Sequence, residues 1–272
     1  PPRSTQGVSS AASDVYKRQK EGQADNMPVV IWLHPLSYHS GYNEGYGVQG
    51  TTVYHRLAEN GFAVIAYDQC GFGLRLLEGR DFYRHHPRWS RLGRMVMDAR
   101  AAVSFAVEGR GASSVAIPEF DKNRVFLLGY SIGALTAMYT GALDDRLAGI
   151  ACFSGWTPLR DASKVAAIGG NRRLWELHAL QPRLGWFDGR ENSIPFDYHD
   201  ILSQVLPKPS LIVTPKRDRF ADHDAITKAI NQVRLAKPKQ TEAALTWQSP
   251  DDTNRFQTDQ HEQFINWTKS LR

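Results

Sequence analysis

The pentapeptide Gly129-Tyr130-Ser131-Ile132-Gly133 is the stretch of this sequence best suited to covalent chemistry. It follows the apolar run Val125-Phe126-Leu127-Leu128 and precedes Ala134-Leu135-Thr136-Ala137-Met138, which reads as helix. A serine on a sharp strand-to-helix turn is held in a strained backbone conformation, and a glycine two residues away on either side lets neighbouring backbone pass closely. Such a turn exposes the hydroxyl at the end of a sheet. It also aims the positive end of the following helix at negative charge developing on a carbonyl oxygen. The chemistry implied is nucleophilic attack by Ser131 on an acyl carbon. The competing reading is an inert serine in a glycine-flanked turn.

The rest of the chain supplies elements that would position this turn. Continuous apolar runs over residues 28–33, 62–67, 124–128, 149–153 and 210–213, with a weaker one over 243–248, suit strands buried on both faces of a parallel sheet. Helical spacing is clearest over 89–107, where Leu92, Met95, Val96, Ala99, Ala102, Val103 and Ala106 share one face. Further helices are expected over 52–60, 131–143, 224–235 and 258–271, the last capped by Thr258. Strands alternating with helices predict an α/β domain over 28–272, its mostly parallel sheet covered on both faces. Residues 156–209 interrupt the alternation with Trp156, Trp175, Trp186, Phe187, Phe196 and Tyr198, as a lid, a pocket wall or merely extra cover would.

Three stretches together resemble the α/β-hydrolase superfamily from about Pro28 to the end: Leu33-His34-Pro35-Leu36, Tyr67-Asp68-Gln69-Cys70-Gly71-Phe72-Gly73 and the Ser131 turn. Residues 81–89 and Trp156-Thr157-Pro158-Leu159-Arg160 make it most similar to the dienelactone hydrolase and acetylxylan esterase branch. The resemblance implies a serine esterase with Ser131 as nucleophile, acting on small-molecule esters of small acyl groups without a cofactor. In this superfamily the loop after the first parallel strand supplies an oxyanion donor. Pro35 has no amide hydrogen, so the donor becomes Leu36, paired with Ile132. The acid of a triad lies a few residues past a late strand, where Asp218 stands with Asp222 as a near alternative. The base belongs in the loop after the last strand, but Asn254 occupies that place. His261, seven residues on, is the expected base. His39 on the oxyanion loop is its substitute, and His34 is expected to brace that loop. A catalytically inert or binding scaffold and a serine peptidase remain alternatives.

Composition narrows the other possibilities. The 272 residues are 42% hydrophobic and 22% charged, as in an ordinary globular domain. A formal charge of +5 forms no basic stripe, so no nucleic-acid partner is expected. No apolar run is long enough to span a membrane, and no signal peptide is visible, which leaves localisation open. Cys70 and Cys152 read as buried thiols. No H-x-x-x-H or C-x-x-C pair suggests a metal, and Gly71-Phe72-Gly73 lacks the third glycine of a dinucleotide site. Residues 13–19 resemble linker-derived read-through, so 1–27 are expected to be a non-native or disordered leader. The strands that usually precede residue 28 would then be missing, and 62–67 would form an open apolar edge prone to intermolecular pairing. Oligomeric state is otherwise unread.

Overall fold

A computed structural model describes residues 13–16, 26–43, 52–108, 120–160 and 170–271. In chain order the main elements are β1 (Ser13–Tyr16), β2 (Met27–Leu33), α1 (Val53–Glu59), β3 (Ala63–Tyr67), α2 (Leu76–His85), α3 (Arg91–Glu108), β4 (Phe120–Tyr130), α4 (Ile132–Leu143) and β5 (Gly149–Phe153). Then come α5 (Gly170–Arg172), a π-turn over Arg173–Leu177, α6 (Tyr198–Val205), β6 (Ser210–Val213), α7 (His223–Ala236), α8 (Pro238–Ala244), β7 (Leu245–Gln248) and α9 (Thr258–Ser270).

The seven strands run in the order β1-β3-β2-β4-β5-β6-β7, with β2 to β7 all parallel. Period-two alternation divides their side chains between two cores. Val29, Ile31, Leu33, Val125 and Leu127 face a layer built from α3, α4, α6 and α7. Val30, Trp32, Phe126 and Leu128 face α1 and α9. Burial on both faces is why these strands read as unbroken apolar runs. The chain leaves β2 toward β3 on one side and returns to β4 on the other, so the strand order reverses between β2 and β4. In such sheets the crevice at the carboxyl ends of the diverging strands is where ligands bind, and Ser131 follows β4 directly.

The sheet edge departs from expectation. Ser13–Tyr16 pairs antiparallel with β3, in the register Ser13↔Tyr67 to Tyr16↔Val64, so the expected open edge at 62–67 is closed by residues of the leader. A four-residue strand needs main-chain bonds to an unfilled edge more than hydrophobic alternation, and Val15-Tyr16 has adequate β-propensity. The rest of the leader before Asn26 lies outside the described residues. Two element ends also shift. Pro238 opens α8, since a proline at the first helical position gives up no hydrogen bond. That helix takes up Ala243 and Ala244, so the last strand starts at Leu245 rather than 243. In α9 Thr258 is already helical and Gln257 is the cap, its amide bound by the Gln260 side chain at 2.7 Å. Cys70 and Cys152 are buried and unpaired, as expected. Among the described residues no helix is long and apolar enough to cross a membrane.

Candidate active site

Ser131 has φ 55° and ψ −116°, a left-handed conformation that costs a non-glycine residue on the order of 1–3 kcal/mol. Neighbours hold it there. Its amide donates to the Phe153 carbonyl of β5 at 2.9 Å, and its carbonyl accepts from Ala134 at 3.0 Å. A Cβ on Gly133 would collide with the carbonyl of Leu33, and one on Gly129 with the carbonyl of Gly133, so both flanking glycines are dictated by close backbone approach. The serine is 7% exposed, and its hydroxyl makes no hydrogen bond among the described residues.

The oxyanion loop is braced by buried polar groups. His34 is fully buried, its Nδ1 is 2.7 Å from the Pro35 carbonyl, and its Nε2 accepts the Gln69 amide at 3.0 Å. The ring is therefore the neutral Nδ1–H tautomer, in keeping with burial pushing its pKa down to about 4. Gln69 continues the network: its Nε2 donates to the His34 carbonyl at 2.9 Å, and its Oε1 accepts from Thr136 on α4 at 2.8 Å. Because the Pro35 carbonyl faces the imidazole, the Leu36 N–H across the same planar trans peptide points the other way. No backbone carbonyl among the described residues engages the amides of Leu36 or Ile132. His34 thus braces the loop, as expected. Gln69 and Thr136 escaped the sequence reading, although Gln69 stands inside one of the motifs that carried the resemblance.

On the other side of the crevice, Asp218 is 5% exposed in the loop after β6. Its Oδ1 accepts the Phe220 amide at 2.9 Å, and its Oδ2 accepts Nδ2 of Asn254 at 3.0 Å. Main-chain bonds from Lys216 to Pro250 and from Arg217 to Asp252, each 2.9 Å, lace this loop to the one after β7 and bring Asn254 to the carboxylate. The alternative acid, Asp222, caps α7 by accepting from Ala225 at 3.0 Å.

His261 is placed differently. It is 5% exposed on α9, and its ring lies 4.8 Å from Phe256. Phe256 in turn stacks on Tyr130 at 5.3 Å and on Trp32 at 5.2 Å, so an aromatic ring separates the imidazole from the residue preceding Ser131. Burial, aided by Arg56, lowers its pKa to about 4, and its Nδ1 has no partner among the described residues. No hydrogen bond among the described residues joins His261 to Ser131 or Asp218. The expected Ser131, Asp218 and His261 constellation is thus not assembled: Asn254 holds the place beside the acid. His39 is exposed on its loop.

The described part of the 156–209 insertion is tied to α2 and α3. Leu92 donates to the Leu180 carbonyl at 3.1 Å, Arg91 to that of His178 at 3.2 Å, and the Tyr83 hydroxyl to that of Ala179. At its other end Asp197 accepts the amides of Leu159 and Arg160 at 2.8 and 3.0 Å. A cleft of about 310 Å³ bounded by Ser154, Pro215, Asp252, Arg255 and Gln260 lies on the α9 side and does not include Ser131 or Asp218. Arg255 spans it in ion pairs with Asp252 and Asp259, at 2.7 and 2.6 Å, so its charges are mutually satisfied.

Comparison with known proteins agrees with the fold. Among solved structures, a CE15 glucuronoyl esterase from Caldicellulosiruptor kristjansonii superposes with a TM-score of 0.72 at 18% identity, over 95% of this chain and 72% of that one. A promiscuous CE15 esterase from a marine bacterial metagenome gives 0.67 at 14% identity, over 98% and 83%. Est1E from Butyrivibrio proteoclasticus, solved with ferulic acid, gives 0.55 at 16% identity, over 95% and 93%. At such identities the likeness establishes the fold. No protein of curated function matches the sequence. The family model described as "Serine aminopeptidase, S33" matches residues 36–198, more than half of the chain and all of the Ser131 turn. The chain therefore belongs to that family of the α/β-hydrolase superfamily.

Proposed function

We propose that the chain is a serine esterase that forms an acyl-enzyme on Ser131. The observation that carries this reading is the strained turn at Ser131, whose hydroxyl, like the amides of Leu36 and Ile132, is unengaged among the described residues. Attack of the Ser131 oxygen on an ester carbonyl forms a carbon–oxygen bond and moves an electron pair onto the carbonyl oxygen, where Leu36 and Ile132 would stabilise it. Collapse expels the alcohol, and water then hydrolyses the acyl group from Ser131. An amide such as Asn254 can orient a hydroxyl but cannot take its proton at neutral pH, so that proton passes to water. Esters are favoured over peptides for the same reason. An amine leaving group must be protonated as it departs, and no imidazole among the described residues is hydrogen-bonded to Ser131 to do it. Several of the similar structures are esterases by name, and small acyl esters fit the resemblance to acetylxylan esterases.

Asn254 also motivates a second reading, in which the fold is retained as a binding scaffold. Treatment with an organophosphonate probe separates the two. The esterase reading expects stoichiometric labelling of Ser131 in the wild type and none in Ser131→Ala. An unlabelled wild type, or equal labelling of both proteins, would overturn it in favour of the scaffold.

A further inference from the structure

Arg173 begins the π-turn that follows α5, and its guanidinium carbon lies 4.9 Å from the centre of the Phe220 ring. The Phe220 amide is the one that binds Asp218, so the guanidinium stands against the acid loop of the site. Its charge acts on Asp218, Tyr198 and Tyr130, the last being the residue before the nucleophile. Yet Arg173 forms no ion pair and donates no hydrogen bond among the described residues. Other arginines of the fold behave otherwise: Arg172 pairs with Glu176 at 2.9 Å, Arg75 with Asp98 at 2.8 Å, and Arg91 binds the His178 carbonyl.

Two residues before it, Asn171 is 0% exposed, and neither its Nδ2 nor its Oδ1 has a partner among the described residues. The indole nitrogens of Trp156 and Trp175 are also buried without acceptors among the described residues, and the Trp156 ring lies 5.2 Å from that of Tyr198. The segment thus leaves three N–H donors without partners among the described residues, those of Asn171, Trp156 and Trp175, together with the acceptors Oδ1 of Asn171 and Oε1 of Gln181. A half-buried, always-charged guanidinium with no direct ion pair among the described residues is costly, and burial lowers its pKa although the Asp218 charge opposes the shift. Short π-turns interrupt helices frequently at functional sites. An anion arriving with the substrate would satisfy both the charge and the spare donors, and a carboxylate matches the planar fork of the guanidinium.

We propose that Arg173, with Asn171, forms a subsite beside Ser131 for a carboxylate carried by the ester substrate. This rests on the reading of Ser131 as nucleophile, and it names the substrate class as esters bearing a free acid group. Two esters of matched length test it: 4-nitrophenyl hemiglutarate, which carries a carboxylate, and neutral 4-nitrophenyl valerate. In the wild type the ratio of kcat/KM for the anionic over the neutral ester is expected to exceed ten and to fall with added salt. In Arg173→Gln, checked for an unchanged thermal midpoint, the ratio should drop to about one. A wild-type ratio near one, or the same ratio in both proteins, overturns the proposal. Calorimetric titration with glutarate separates this outcome from failure of the esterase reading, because it needs no turnover. Binding to wild type that is lost in Arg173→Gln supports the subsite even in an unreactive protein, and absent or equal binding in the two overturns it.

Discussion

The two sides of the crevice are built to different standards. On the β2 and β4 side every part is held: the turn by Gly129 and Gly133 packed on backbone, the oxyanion loop by His34, and His34 by Gln69, which Thr136 fastens to the helix behind the nucleophile. On the β6 and β7 side the acid is held as firmly, by the Phe220 amide and Asn254, but the group it holds is not a base. On the proposed esterase reading, the electrostatic part of acyl-transfer catalysis is retained independently of the proton-transfer part. Removing one oxyanion donor typically costs about 3 kcal/mol, whereas general acid–base assistance contributes roughly 10²–10⁴-fold. A site that keeps the first and lacks the second should acylate slowly and with reactive esters only.

The strongest way to break this comparison is to complete the weaker side. Asn254→His places an imidazole where Asp218 already offers an acceptor. Turnover of 4-nitrophenyl acetate is expected to rise by about 10²-fold or more, with a new inflection near pH 6.5, the ordinary value for histidine. Steady-state rates across pH 5 to 9 would check it, and an unchanged rate would show that a base already acts from elsewhere.

An intermediate effect belongs to the stronger side. The folded-state pKa of His34 is lowered to about 4 by burial, against an ordinary 6.5. Above pH 6.5 the ring is neutral in both folded and unfolded chains, so nothing is lost. As pH falls from 6.5 toward 4 the unfolded chain binds a proton that the folded one refuses, and stability declines. By pH 5 the loss attributable to His34 should be about 2 kcal/mol, at 1.36 kcal/mol per pKa unit. Urea midpoints at pH 7.5 and pH 5 measure it. In His34→Asn the decline should be smaller, and an equal decline in both proteins would remove His34 as its source.

The smallest effect concerns the imidazole on α9. Because Phe256 separates it from Tyr130, His261→Phe should lower aryl acetate turnover by tenfold or less, while keeping the ring contact. A loss of several orders of magnitude, as triad members show, would restore His261 as the base.

What the sequence determined by itself was everything that depends on local chain chemistry. The sheet was legible because strands buried on both faces cannot carry polar residues, and the turn because only glycine fits where backbone meets backbone at positions 129 and 133. Pro35 pointed to Leu36 as the expected oxyanion donor through its missing amide hydrogen, and Asn254, where the resemblance expected a base, was visible as a letter. The tertiary structure alone decided which groups meet. His261 stands seven residues from Asn254 in the chain, and no spacing rule reveals that Phe256 screens it, because that depends on how α9 packs against β2 and β4. The pairing of Ser13–Tyr16 with β3, and the placing of Arg173 over Phe220, join segments far apart in the chain. Hydrogen bonds, ring contacts and charges between distant segments leave no periodicity in a single sequence, so only the fold could reveal them.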